Sequence, residues 1–302
     1  NLALASAAWR RGGWVVGASL ATEGDDRGRP IAGTLDASDQ RVLALAGDSA
    51  SRALGGGVTP GGGDYDLVQS PGGAYYAFAD PDSGDFGVRF VFAGAGAGDY
   101  VDSAHVAGRS AFRHVGPGSG THVIGRALPL PSTHQLASVR GAYVNGGVTA
   151  SVDGAVSRRD RNTFSGLDAG DNAGAALEAR FGLESRGGDA GARAGLAARV
   201  RSVERRFEPF GRRESAFGSE GWGLPAGSDF DRQRLAEVSG FARRGRAGEL
   251  RAAVAGLETP ERYRAWRHTL GWSRSGAVGA RFAWISPLVG ARPTRSRPPT
   301  QR

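Results

Sequence analysis

Residues 175–184 read AALEARFGLE. Ala175, Leu177, Ala179, Phe181 and Leu183 take alternate positions, with Glu178, Arg180 and Glu184 between them. A two-residue period of this kind belongs to a strand with one apolar and one polar face. The same reading holds on both sides. In VTASVDGAVS, Val148, Ala150, Val152, Gly154 and Val156 oppose Thr149, Ser151, Asp153 and Ser157. In ARAGLAARVR, Ala192, Ala194, Leu196, Ala198 and Val200 oppose Arg193, Arg199 and Arg201. RLAEVSGFAR, ELRAAVAG and VGARFAW continue the pattern toward the C-terminus, the last with Phe282 and Trp284 on its apolar face.

The connections alternate in length. Tight glycine-bearing turns stand at 145–147, 186–190, 244–248 and 273–276, as hairpins require. Longer polar loops stand between them, at 158–173, 204–232 and, shorter, 258–262 with Pro260. Antiparallel strands joined in this way place all the tight turns at one end of the sheet and the long loops at the other.

Strands of about ten residues with one apolar face, tight turns at one end and long loops at the other are the pattern of a transmembrane β-barrel. Over roughly residues 133–288 the chain resembles the outer-membrane β-barrel proteins of Gram-negative bacteria. The resemblance rests on this pattern, not on a family motif. It implies an all-β, antiparallel up-and-down β-meander or β-barrel, to which the sequence adds one short loop helix described below. It also implies an outer-membrane location, a lipid bilayer as partner and a lumen lined by Glu178, Arg180, Arg193, Arg199 and Arg201. If open, such an Arg-lined interior favours small anionic solutes. Tyr143, Phe164, Phe181, Phe207, Trp266, Trp272 and Trp284 lie near strand ends, where an interfacial girdle stands. The same alternation also fits a secreted or cell-surface β-sandwich that binds a partner or glycan through long loops, with Phe210 and Trp222 as the contacts.

Composition narrows the classes further. The 302 residues carry 38 basic side chains, all arginine, against 30 acidic ones, and Gly and Ala are abundant. This set suits a GC-rich genome, and the acids are interleaved with the arginines throughout. No basic run is interleaved with stacking aromatics, so nucleic acid is not an expected partner. Cysteine is absent, which leaves neither disulfides nor thiolate metal sites. No apolar run approaches the length of a membrane-spanning helix. The chain starts without Met inside a strand-like segment and ends in PLVGARPTRSRPPTQR, which suggests a processed or partial chain with a disordered tail.

The N-terminus repeats the later hairpin. WRRGGWVVGASLATEGDDR (9–27) lies without gaps over YVNGGVTASVDGAVSRRDR (143–161), matching an aromatic, a Gly-Gly turn and an Asp-Arg pair. DASDQRVLALAG, which follows, predicts a short loop helix with Asp36 as N-cap and Gly47 beyond its end.

FVFAGAGAGDYVD (90–102) poses a choice between a phosphate-cradling loop and a turn. Similar stretches surround it: GGGDYD, SGDF and GPGSGTHV. A dinucleotide loop occurs once, opens a helix and has a third glycine where Asp99 stands; these are turns, with Asp capping an amide and an aromatic opening the next strand. The spacing of Asp64, Asp85 and Asp99 is irregular, unlike a calcium β-roll. His105, His114, His122 and His134 lack ligand spacing, and no nucleophile or carboxylate pair stands in a catalytic context. The expectation is therefore no cofactor, no metal and no enzymatic activity. The expected divisions are 1–57 (hairpin plus helix), 58–131 (glycine turns), 132–290 (meander) and 291–302 (tail).

Overall fold

In a computed structural model of the chain the described residues are 1–27, 34–185, 187, 191–211, 222–224, 232–244, 248–259, 263–274 and 280–287. Among these residues the fold is all-β and antiparallel apart from one α-helix and short 3-10 turns. The chain opens with the hairpin β1 (Leu2–Arg11) and β2 (Trp14–Gly24). After α1 (Ala37–Ala46) come ten short strands: β3 (Leu54–Gly55), β4 (Val58–Gly63), β5 (Tyr65–Ser70), β6 (Gly73–Phe78), β7 (Gly84–Val88), β8 (Phe90–Phe92), β9 (Tyr100–Val106), β10 (Arg109–His114), β11 (His122–Ile124) and β12 (Arg126–Ala127). Eight long strands follow: β13 (Thr133–Asn145), β14 (Val148–Asp160), β15 (Ala173–Glu184), β16 (Ala192–Val203), β17 (Gln233–Arg244), β18 (Gly248–Thr259), β19 (Tyr263–Ser273) and β20 (Ala280–Pro287).

Two compact units result. One holds residues 2–23, 134–159 and 171–302; the other holds 24–133 and 160–170 together with Asn1. This division differs from the sequence expectation at 57/58. The N-terminal hairpin belongs to the meander, because β2 is the neighbour of β13, whereas the helix belongs with the glycine turns. Residues 24–133 are thus an insertion between two adjacent strands of one sheet. The expected tail at 291–302 lies outside the described residues.

The large sheet runs β1-β2-β13-β14-β15-β16-β17-β18-β19-β20, and every pairing after the insertion joins strands consecutive in sequence. Among the described residues no pairing joins β1 to β20. The alternation read from sequence fixes its register: Leu177 faces Gly154, Glu178 faces Arg201, and Arg180 faces Arg199. Glycines at the tight turns serve close approach. A Cβ on Gly13, Gly147 or Gly248 would strike the carbonyl oxygen of Val144, Glu184 or Ser273, each on the next strand of the sheet. The two hairpins matched in sequence therefore use their second glycine in the same way.

In the inserted unit α1 is more than a loop ornament. Asp36 caps it, accepting from the amides of Ser38 (2.7 Å) and Asp39 (2.8 Å), while Asp39 returns a bond to the Asp36 amide. At the other end the fully buried Asn162 donates to the carbonyls of Leu43 (2.8 Å) and Gly47 (2.7 Å), satisfying acceptors that a helix end leaves open. Leu43 and Ala46 pack with Ala53 and Leu128 as a core, with Phe164 against its edge. Phe164 is therefore no part of a girdle. Asp39, on the buried side of the first turn of this helix, pairs with Arg126 of β12.

The glycine turns resolve into two copies of one four-strand motif. The first has the order β4-β7-β5-β6 and the second the matching order β8-β11-β9-β10. Asp64 accepts from the Asp82 amide (2.8 Å), and Asp99 accepts likewise from the Gly118 amide (2.9 Å). A side chain on Gly84 would strike the backbone of Tyr65, and one on Gly120 that of Tyr100. The copies are locked reciprocally: Tyr65 Oη accepts from Phe112 N, and Tyr100 Oη accepts from Tyr76 N, each at 2.9 Å. Phe90 lies between both tyrosine rings and stacks on Phe112 at 4.4 Å. The expected role of aspartate as an amide cap and of the aromatic as strand opener holds at Asp64–Tyr65 and Asp99–Tyr100 but not at SGDF, where Asp85 and Phe86 lie inside β7 and the Asp85 amide donates to Asp66 (3.0 Å).

Candidate functional site: the charged face of the large sheet

The two faces of the large sheet have opposite character, and the apolar one is the exposed one. Leu177 is 54% exposed, Leu196 63% and Val238 60%, with Val152, Val156, Phe181, Val200, Leu250, Val254, Leu270 and Phe282 also exposed. Soluble folds bury such a face, and an uncovered apolar area this wide marks an interaction surface. Of the aromatics expected at the strand ends, Phe181, Trp266 and Trp272 are exposed with this face, and Trp14 packs on Tyr143 at 4.8 Å. Phe207 is buried instead, and the Trp284 side chain lies outside the described residues.

All five residues expected to line a lumen fall on the opposite face of β15 and β16. Four of them come together. Glu178 receives Arg199 Nη2 at 2.7 Å on one carboxylate oxygen and pairs with Arg180 through the other. Arg201 lies directly across from Glu178 and sends Nη2 to Gln233 Oε1 at 3.2 Å. Arg193 stands apart, near the tight-turn end, 3.6 Å from Glu184. Farther across the sheet, Arg140 meets Asp153 (3.3 Å) and Arg267 meets Glu237 (3.8 Å). Strand register sets Glu178 beside Arg199 and Arg201 of the next strand, Arg180 reaches Glu178 from two residues along β15, and Arg267 reaches Glu237 across Ala255 of β18.

The face is filled at the long-loop end and hollow toward the turns. Trp222, from the segment joining β16 to β17, is 8% exposed and packs with Leu235, Ala255, Leu257 and Ala265. Tyr263 Oη donates to the Trp222 carbonyl (2.6 Å), and the Arg267 guanidinium lies 4.3 Å from the indole centroid. Trp222 is therefore engaged internally, which removes it from the free loop surface expected of a partner contact. Phe210, the other expected loop contact, stacks on His134 at 4.2 Å and keeps about a third of its surface exposed. Toward the turns a cavity of about 910 Å³ opens, lined by small residues such as Gly182, Gly195, Ala197, Ser239, Ala253 and Gly271.

Three members of this site escaped the sequence reading: Gln233, the Glu237–Arg267 pair and the inward Leu235–Leu257 cluster. The signal for the last was present. Leu235 and Leu257 occupy the parity that carries charge elsewhere in β17 and β18, so the polar stripe turns apolar near the long loops. Three of the four histidines singled out above make ring contacts: His114 stacks on Tyr75 (4.6 Å), His122 packs edge-on to Phe112 (4.8 Å) and His134 stacks on Phe210, while His105 Nε2 lies 3.4 Å from Ser110 Oγ.

Compared with models of protein families, with curated proteins and with solved structures, the chain matches none.

Proposed function

We propose that the large sheet forms the wall of an outer-membrane β-barrel and that the chain serves there, without enzymatic activity, in transport or as a surface structure. One observation carries this reading: the apolar face is exposed from strand to strand, while on the opposite face Glu178 and Gln233 are covered and Arg199 and Arg267 are partly covered, with Arg180 and Arg193 reaching open space. In water that distribution is unfavourable, since apolar area left in solvent forgoes about 25 cal/mol per Å². In a bilayer it is the favourable one. The long strands have 11 to 13 residues in β13 through β19, enough for a tilted span, which needs about 9–11. Lipid contact also requires that β1 and β20 not present bare edges, so closure of the sheet is part of the proposal. The burial of Trp222 weighs against the rival reading of a soluble sandwich binding through its loop aromatics. The charged face then bounds a water-filled interior open to small anionic solutes.

The test is to fold the chain in the presence of lipid vesicles and float them through a density gradient. Co-flotation, with a faster-migrating unboiled form on gel electrophoresis, is the expected result. A soluble monomer that stays at the bottom without detergent overturns the reading.

A further inference from the structure

We propose that the connection between β16 and β17 is a strap laid back over the charged face, and that it forms the constriction of the interior at the long-loop end. Its part in transport rests on the barrel proposed above; the placement of the strap does not.

The connection occupies residues 204–232, far more than two adjacent antiparallel strands need to be joined. Two described stretches of it, 204–211 and 222–224, are bound to the sheet on opposite sides of their own hairpin. The first reaches back over β15, β14 and β13. The Glu204 amide donates to the Ala175 carbonyl (2.9 Å), and Glu204 Oε2 accepts from the Ala175 amide (3.0 Å). Gly174 lets the chain pass closely, since a Cβ there would strike the amide nitrogen of the buried Phe207. Glu208 then takes three partners. Its amide donates to Ser157 Oγ (2.8 Å), its Oε2 accepts from Arg159 Nη1 (2.7 Å), and its carbonyl meets His134 Nε2 at 2.8 Å, where Phe210 stacks on the imidazole. The second stretch reaches forward over β18 and β19. Trp222 packs with Ala255, Leu257 and Ala265, its carbonyl held by Tyr263 Oη and its ring by Arg267, and Leu224 packs against the same cluster.

Strand parity puts all these contacts on the charged face. Ser157 and Arg159 share the side of Asp153 on β14, and His134 shares that of Arg140, the partner of Asp153, on β13. Leu235, Leu257 and Ala265 lie in one row with Glu178 and Arg201 across the sheet. The effect on access is local. Ser157, Leu257 and Ala265 are buried, whereas Thr269, four residues along β19 on the same face, lines the cavity toward the turns. Leu4, on this face of β1, stays exposed, so the strap narrows the interior of a closed barrel without sealing it.

The chain has no cysteine, so single replacements report access directly. Ala265→Cys and Thr269→Cys are placed in the full chain, folded in a non-ionic detergent and treated with a charged, membrane-impermeant thiol reagent, with unboiled gel mobility as the check on folding. The expected result is labelling of Ala265→Cys slower than that of Thr269→Cys by about tenfold or more, since reaction under the strap requires local opening. Adding Trp222→Ala should erase most of the difference. If that variant fails to fold, Tyr263→Phe, which removes only the bond to the Trp222 carbonyl, should still raise the labelling rate. Equal labelling of the two cysteines in the folded chain overturns the proposal, and so does a protected Ala265→Cys that neither loosening variant exposes. In planar lipid bilayers the original chain should pass less current than the folded loosening variant, and equal currents overturn the strap as the constriction. A chain that fails to float but protects Ala265→Cys sinks only the membrane reading; flotation with both cysteines labelled alike sinks only this one.

Discussion

The large sheet and the inserted unit are both antiparallel β structure from one chain, yet they sort their side chains in opposite directions. In the insertion, Leu43, Tyr65, Tyr100 and Ala111 are buried while Asp82, Asp85 and Arg109 meet solvent. In the sheet, Leu177, Leu196 and Val238 are exposed while Glu178 and Gln233 are covered. One polypeptide chemistry thus answers to two surroundings. The insertion buries its apolar side chains as a fold in water does, and the sheet exposes them, the distribution on which the proposed membrane reading rests. The distinction is energetic and can be broken by substitutions that water and lipid score differently.

The largest effect is expected from Leu43→Ala, which opens a cavity under α1. In a close-packed protein core the loss is about 2–5 kcal/mol. Hydrogen exchange on the full chain should show residues 37–54 and 126–128 losing protection. The matching truncation in the sheet, Leu177→Ala, should be mild, because fluid lipid closes over the missing methyl groups. A severe Leu177→Ala would mean that a protein surface covers this face, and the comparison would fail. Leu177→Arg should cost about 2–4 kcal/mol in a bilayer, read from reversible unfolding in vesicles.

The reciprocal tyrosines sharpen the comparison within the insertion. Tyr65→Phe and Tyr100→Phe each strip an acceptor from one partly buried amide, and each should cost about 1–3 kcal/mol. Because the two copies match, the two losses should be similar. Unequal losses from thermal unfolding of the two variants would show that only one of the locks is formed as described.

The smallest effect is a dependence on acid. The Ser38 hydroxyl, followed by the Asp39 amide, holds the Asp36 carboxyl below the usual aspartate range, and the Arg109 guanidinium does the same for Asp82. A carboxyl depressed on folding adds stability above its unfolded pKa of about 3.9. That stability is lost as the pH falls through the lower folded value. The insertion should therefore weaken below about pH 4, by little, since both groups are exposed. Asp82→Asn should flatten that acid limb, and an unchanged limb would assign it to other carboxylates.

Much of this was legible in the chain itself. Period-two alternation set strand faces and register from Val148 to Val203, because a slip of one residue would exchange the two faces. Asp36 and Gly47 marked the helix because N-cap chemistry and a positive φ at the C-terminus are local demands. The turn aspartates announced their amide bonds for the same local reason. What stayed hidden was set by partners remote in sequence. Gly24 and Thr133 end and begin neighbouring strands with the whole insertion between them, and no local pattern reports which strand a distant one will join. Asn162 finds the end of α1, and Phe112 finds Tyr65, through closure of long loops. Trp222 reads as a loop aromatic until its cluster with Leu235 and Leu257 is seen. Alternation, caps and turns are decided within a few residues by backbone geometry, and the sequence by itself determined those. The tertiary structure alone decided which face is covered, which copy pairs with which and where the described stretches of the β16–β17 connection lie, because burial and hydrogen-bond satisfaction belong to the assembled fold.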